Sequence, residues 1–375
     1  MVGILRRLSE EGVSLWLEGV GRDRLADGGL ARLVRDRYVV GVTGTPGDGD
    51  AYREQLADLA ARGASAAAAL RELTVRDLRW ACEVLEPVHL RTAGLDGLVS
   101  ARIDPAFVRG ACATLAEARS LSLAVDRPNL LVEIPATPEA LPAIARCLGE
   151  GIGVHVSLVL SEQRYAEVLE SFLTGLELAA SKGLDVSRIS SVAALPVGLL
   201  DTAVDHELDV IATAETRAFR GQAGIALARL AYRRYEQVLG SARWSALAAL
   251  GARPQRLLWD ATGVTDRRHR DTRYVEELVA PNSVTVLSEQ TLAALADHGR
   301  PASAARFAGG YADAERVLGY LDWFGIDLPE LLLRLERDSL AGLRRARTEL
   351  LEAVLARLTE FRLTEARSPE AAKAV

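Results

Sequence analysis

Residues 127–137 read Arg127-Pro-Asn-Leu-Leu-Val-Glu-Ile-Pro-Ala-Thr137, and this stretch decides the fold. Its apolar run, 130–134, is interrupted by one acid, Glu133, and is followed by Pro135. A short apolar run between breakers predicts a buried parallel strand. Proline ends the pairing because it has no N–H to donate. Glu133 is therefore predicted near the C-terminal end of that strand, where a carboxylate is costly unless it is paired, protonated or bound to a ligand.

Short apolar runs alternate with amphipathic helical stretches along most of the chain. This alternation predicts a (β/α)8 barrel, in which functional groups gather at the C-terminal ends of the strands. One domain is expected over residues 1–363, followed by a disordered polar tail over 364–375. The eight predicted strands are Val13–Leu17, Tyr38–Thr43, Leu98–Arg102, Leu130–Ile134, Gly153–Leu158, Ile189–Ala193, Leu257–Asp260 and Ser283–Val286.

Composition narrows the class of protein. With 375 residues and 49% hydrophobic content, the chain can bury a large core. The net charge of -6 has interspersed signs, so no nucleic-acid partner is expected. No run of 18 apolar residues occurs, so no membrane partner is expected either. Cys82, Cys112 and Cys147 show no metal-ligand spacing, and they predict buried, reduced thiols of a cytoplasmic protein.

Several stretches, taken in chain order, resemble transaldolases of the bacterial type. The resemblance implies a (β/α)8 TIM barrel of the transaldolase and class I aldolase type, with additional helices. It also implies transfer of a dihydroxyacetone unit between sugar phosphates through a lysine Schiff base, without a cofactor. The stretches include Gly12-Val-Ser-Leu-Trp-Leu17, Val40-Gly-Val-Thr43, Asp126-Arg-Pro-Asn-Leu-Leu131, Ile134-Pro-Ala-Thr137, Gly251-Ala-Arg-Pro-Gln-Arg256 and Tyr274-Val-Glu-Glu-Leu-Val-Ala-Pro281.

The chain departs from this pattern at the position of the Schiff-base lysine. The resemblance places that lysine at Glu133, and a carboxylate cannot form an imine. The two lysines of the chain are Lys182, predicted in a loop that leads into a strand, and Lys373, in the tail. Neither position predicts an amine in the pocket, so Schiff-base chemistry is expected to be absent.

Other site positions implied by the resemblance also differ. Arg102 replaces a glutamate and His155 an asparagine, whereas Glu18 replaces an aspartate. Ala194 and Leu199 stand where a serine and an arginine would hold phosphate. Apolar groups cannot supply charge-assisted hydrogen bonds, so a phosphorylated substrate is not expected.

These departures predict a pseudo-transaldolase repurposed for acid/base chemistry of the isomerase, lyase or cyclase type. The expected substrate is a hydroxylated, carbonyl-bearing metabolite, as in specialised metabolism. The predicted catalytic residues are Glu133, Glu18, His155 and Arg102, and the predicted substrate-binding residues are Thr43, Thr45, Ser157 and Asp260.

Other interpretations of the same residues remain open. Glu133 and Arg102 could form a simple ion pair across the barrel mouth. A divalent metal could bind Glu18, Glu133, His155 and Asp260, although no ligand-spacing motif supports it. The barrel could also be a non-catalytic binding or scaffold protein. A small-molecule substrate is the expected partner, with a homodimer or a partner protein of the same pathway as further options.

Overall fold

The computed structural model describes residues 3–44, 49–301 and 303–366. Eight parallel strands close into a barrel in chain order, so the predicted (β/α)8 fold is confirmed. The strands are β1 Val13–Val20, β2 Val39–Gly44, β3 Leu98–Arg102, β4 Leu130–Pro135, β5 Val154–Ser157, β6 Ser191–Pro196, β7 Arg256–Asp260 and β8 Ser283–Leu287.

Helices surround this barrel and account for most of the remaining described chain. Where one helical region was predicted over residues 199–250, with a break near Gly221, the structure has four separate helices. In chain order, the α-helices of the described residues are α1 Gly3–Glu10, α2 Arg22–Ala26, α3 Gly29–Asp36, α4 Arg53–Ala61, α5 Ala66–Arg91, α6 Ala111–Val125, α7 Leu141–Leu148, α8 Glu162–Ser181, α9 Val197–Ile211, α10 Ala214–Ala218, α11 Ala223–Leu239, α12 Ala242–Ala249, α13 Arg273–Glu277, α14 Glu289–His298, α15 Ala304–Ala308, α16 Tyr311–Trp323 and α17 Leu328–Ala366.

The C-terminal helix α17 packs against α4 and α5 through a small apolar cluster that includes Val354 and Leu358. It continues to Ala366, beyond the predicted domain boundary at 363, and the rest of the predicted tail lies outside the described residues. Within the described chain, no helix is both long and apolar enough to cross a membrane. Cys82 and Cys147 are buried and unpaired as expected, whereas Cys112 is exposed.

A layer of apolar side chains fills the middle of the barrel. Trp16 is its largest member, and it is fully buried with Leu98, Leu131, Leu258 and other residues. The indole packs directly over Gly41 of the neighbouring strand β2, where a Cβ atom would overlap the ring. Gly41 is thus required for close packing of the barrel interior.

We expect Gly41→Ala to lower the free energy of unfolding by about 1–3 kcal/mol, because the added methyl overpacks a filled core. Urea denaturation measures the change. Gly319→Ala is the matched control, since Gly319 lies in exposed helix α16 with no atom near its Cβ position. That control is expected to be neutral or to stabilise by about 0.5–1 kcal/mol. Equal effects at both positions would contradict the packing account.

An arginine closes the N-terminal end of the barrel. The Arg256 side chain, which begins β7, is 5% exposed and pairs with Asp96 at 2.9 Å. It also donates to Ser14 Oγ of β1 at 2.5 Å and to the Ser283 carbonyl of β8 at 2.9 Å. One buried cation therefore links three strands and the loop before β3.

Candidate active site

Three polar residues lie in register on neighbouring strands at the other end of the barrel. Arg102 on β3 pairs with Glu133 on β4, and Glu133 pairs with His155 on β5. Residues in register on parallel strands project to the same face of a sheet. Ser157 ends β5 and Asp260 ends β7. The closed barrel therefore brings five of the predicted site residues to its C-terminal mouth.

Glu133 is held as an anion by Arg102. The Arg102 Nε atom donates to Glu133 Oε1 at 2.8 Å. The side chain of Arg102 is 48% exposed and that of Glu133 only 6%, so the guanidinium lies on the solvent side of the carboxylate. Burial alone would favour the neutral acid, but Arg102 together with His155 and Ser157 outweighs it and keeps the pKa of Glu133 below its usual value.

The pKa of Asp260 is shifted in the opposite direction from that of Glu133. Its Oδ1 accepts a hydrogen bond from the N–H of Ala261 at 2.8 Å, but no arginine of the described residues forms an ion pair with it. Burial is the largest influence and raises the pKa of Asp260, with the nearby charge of Glu133 adding to the effect. The site thus holds two carboxyl groups, of which one favours the anion and the other the protonated acid.

His155 is oriented by a serine two strands away in the barrel. Its Nδ1 lies 2.7 Å from Ser100 Oγ on β3, while its Nε2 is buried without a hydrogen-bond partner. Burial lowers the pKa of His155, which favours the neutral ring. The Ser157 hydroxyl lies beside Glu133 and helps to lower the pKa of that carboxyl. Buried polar groups rarely stay unsatisfied, so the Nε2 atom of His155 is suited to a hydroxylated ligand.

The remaining predicted site residues belong to β1, β2 and the segment after β2. Thr43 of β2 is in register with Ser100 of β3, so it projects to the same face, and its Oγ1 accepts from the N–H of Gly19 at 3.2 Å. Glu18 is exposed on β1, near the point where the pairing of β1 with β2 becomes irregular. Thr45 lies outside the described residues. No three His, Cys, Asp or Glu side chains within the described ranges are grouped to hold a metal ion.

Lys182 lies at the opposite end of the barrel from Glu133. It follows α8 and precedes β6, and its Nζ donates to the carbonyl of Gly149 at 2.7 Å. Lys373 lies outside the described residues.

The sequence analysis missed Ser100, which touches His155. A signal existed, because Ser100 stands two residues before Arg102 in the same strand and therefore on the same face.

Comparisons with known proteins point to one family over most of the chain. The family model for transaldolase/fructose-6-phosphate aldolase matches residues 28–354. A protein named transaldolase from Acidothermus cellulolyticus is 47% identical, over 96% of this chain and 99% of the relative. Transaldolase 2 from Streptomyces coelicolor is 45% identical, over 96% and 98% respectively. A transaldolase from Thermobifida fusca is 46% identical, over 94% and 98%.

These relatives overturn part of the sequence analysis. The prediction of a pseudo-transaldolase, with dihydroxyacetone transfer lost and the barrel repurposed for isomerase, lyase or cyclase chemistry, is wrong. Full-length relatives of this similarity are named transaldolase. The same finding contradicts the alternative of a non-catalytic scaffold. With more than four-fifths of its length matched by the family model, the chain belongs to the transaldolase/fructose-6-phosphate aldolase family.

Proposed function

We propose that this chain catalyses the transaldolase reaction, the transfer of a dihydroxyacetone unit from a ketose to an aldehyde. The names of its relatives support the reaction type. The observation that carries the proposal is geometric: Glu133 pairs with Arg102 at 2.8 Å, whereas Asp260 of the same mouth accepts from the backbone N–H of Ala261. The pKa of Glu133 is lowered and that of Asp260 is raised. Carboxyl groups whose environments separate their pKa values in this way serve as base and acid.

Each proton of the proposed reaction has a donor and an acceptor. Glu133 accepts the proton of the ketose C4 hydroxyl while the C3–C4 bond breaks. Asp260 donates its proton to the C2 carbonyl oxygen, so the products are an aldehyde and the neutral enediol of dihydroxyacetone. The acceptor aldehyde then forms a bond to C3 of the enediol. Its oxygen takes the proton from Glu133, and the enediol proton returns to Asp260.

The other residues of the site bind and orient. Arg102 keeps Glu133 ionised, and Ser100 fixes the ring of His155 so that its Nε2 faces a substrate hydroxyl. The Ser157 hydroxyl supplies a further hydrogen bond.

In this proposal Glu133 occupies the position at which the resemblance places the Schiff-base lysine, and no protein imine forms. An imine requires a primary amine, which glutamate lacks. Lys182, the lysine present within the described ranges, donates to a carbonyl at the far end of the barrel. The enediol route needs only the carboxyl groups that occupy the mouth.

A transfer assay with borohydride trapping tests both parts of the proposal. Fructose and fructose 6-phosphate serve as donors, short aldoses as acceptors, and mass spectrometry identifies the product. We expect transfer that persists after incubation with ketose and borohydride, with no mass added to the protein. The absence of transfer from every donor would refute the reaction. Inactivation together with a covalent adduct would refute the imine-free route.

The pH dependence follows from the directions of the two pKa shifts. Activity requires ionised Glu133 and protonated Asp260, so kcat/KM should fall below the pKa of the first and above the pKa of the second. Burial lowers the pKa of His155 from its usual value, so a variant at Asp260 is needed to assign the alkaline limb. Asp260→Asn is expected to lower the rate and remove that limb. A variant that retains the alkaline limb would assign the acid to another group.

A further inference from the structure

A second cavity lies outside the barrel, between β3, α5, α6 and α17. Its volume is about 470 Å³, within the range of about 300–1,000 Å³ that is usual for small-molecule sites. Small side chains leave this space open, with Ala67 on α5, Ala101 on β3 and Ala346 on α17 along its wall. The reaction proposed above uses only one residue of this wall, Arg102.

Most of the cavity wall is apolar. Side chains from four elements cover it, and Leu70 and Leu78 of α5, Ala101 of β3 and Leu121 of α6 are buried. Such a wall suits the hydrocarbon part of a ligand, because moving apolar surface out of water contributes about 25 cal/mol per Å². The main apolar residues are Leu70, Leu78, Ile103, Leu121, Leu343 and Leu350.

Three arginines line the cavity, and each has an acidic partner. Arg71 pairs with Glu117 at 2.5 Å, and Arg347 pairs with Asp104 at 2.7 Å. The third, Arg102, pairs with Glu133 in the barrel. The charges are therefore balanced, and the attraction for an anion must come from a hydrogen-bond donor that these pairs leave without an acceptor.

Arg347 also has a hydrogen-bond donor without an acceptor. Its Nε and Nη2 both donate to Asp104 Oδ2, at 3.0 and 2.7 Å. Its Nη1 is buried and has no partner. A buried N–H without an acceptor costs about 1–3 kcal/mol. A carboxylate that enters the cavity can satisfy this donor after a small rotation of the guanidinium.

We propose that this cavity is a second binding site, which takes a small amphipathic carboxylate. The carboxylate binds Arg347, and the apolar body of the ligand packs on the leucine-rich wall. The site is separate from the reaction centre and does not depend on the transaldolase activity proposed above.

Isothermal titration calorimetry on the full chain tests the site with 4-phenylbutyrate as probe. We expect one probe molecule per chain, with 4-phenylbutanol and acetate each binding at least about tenfold more weakly. Arg347→Gln should weaken binding by a similar factor. The matched control, Arg344→Gln, alters an exposed arginine one turn earlier that lies outside the cavity wall, and it should bind as the wild type does.

Two further variants keep the test decisive if Arg347→Gln is unstable. Ala346→Trp fills the cavity and leaves the Arg347–Asp104 pair intact, so it should abolish binding. Glu133→Gln alters the barrel site alone and should bind normally. No binding to the wild type at millimolar probe, equal binding of the alcohol, or full binding by Ala346→Trp would each overturn the proposal. Binding lost only in Glu133→Gln would place the probe in the barrel mouth and overturn it as well.

Discussion

Replacing Glu133 by glutamine is expected to lower kcat for dihydroxyacetone transfer by about 10²–10⁴-fold, the usual contribution of a positioned general base. The amide keeps the size of the side chain and can still contact Arg102, but it cannot accept a proton from the ketose hydroxyl. KM should change less than kcat, because the proton transfer takes place in the transition state. A coupled transfer assay under saturating donor measures the loss.

Two controls separate a chemical effect from a structural one. Glu139→Gln makes the same substitution at an exposed glutamate just beyond β4 and should leave kcat unchanged. The thermal midpoint of Glu133→Gln shows whether the variant is folded at the assay temperature. If Glu133→Gln keeps kcat within threefold of wild type while folded, the base is a different residue.

The strands were predictable because each carries its own local signal. The run before Pro135 and the run that ends at Asp260 are apolar, short and bounded by breakers, and parallel strands buried on both faces require such runs. Helix boundaries between residues 199 and 250 were less predictable. Backbone turns such as the left-handed Ala212 separate these helices, and alanine, the strongest helix former, gives no sign of a break.

The candidate site could be predicted where the order of the strands determines which side chains are neighbours. Arg102, Glu133 and His155 follow one another on neighbouring strands, so their proximity follows from the barrel topology. The position of Glu18 relative to this group was less predictable, because the pairing of β1 with β2 becomes irregular after Leu17 and register is not encoded in composition. The opposite pKa directions of Glu133 and Asp260 also required the structure, since they depend on which carboxyl meets the guanidinium.

The loss of dihydroxyacetone transfer predicted from the altered site residues is wrong. That prediction rested on Glu133 together with other changed positions such as Arg102 and Leu199. Relatives that are 46–47% identical over nearly their full length are named transaldolase, and this contradicts it. The acid and the base of the reaction must therefore be side chains that lie at the barrel mouth.

The largest stability effect is expected at the opposite end of the barrel. Arg256→Ala should lower the free energy of unfolding by about 3–5 kcal/mol, as for other broken buried ion pairs. The substitution leaves Asp96 as a carboxylate that is 13% exposed and has lost its cation. It also leaves the Ser283 carbonyl without the Arg256 donor. Urea denaturation at neutral pH measures the change.

Surface pairs supply the control for this prediction. Arg24→Ala breaks the exposed pair with Glu289, and it should cost no more than about 1 kcal/mol. The double variant of Arg256→Ala with Asp96→Ala should lose less stability than the two single changes added together, because the second change removes the unpaired charge. Strictly additive losses, or a loss below about 1 kcal/mol for Arg256→Ala, would mean that the strands hold the closed barrel without this cation.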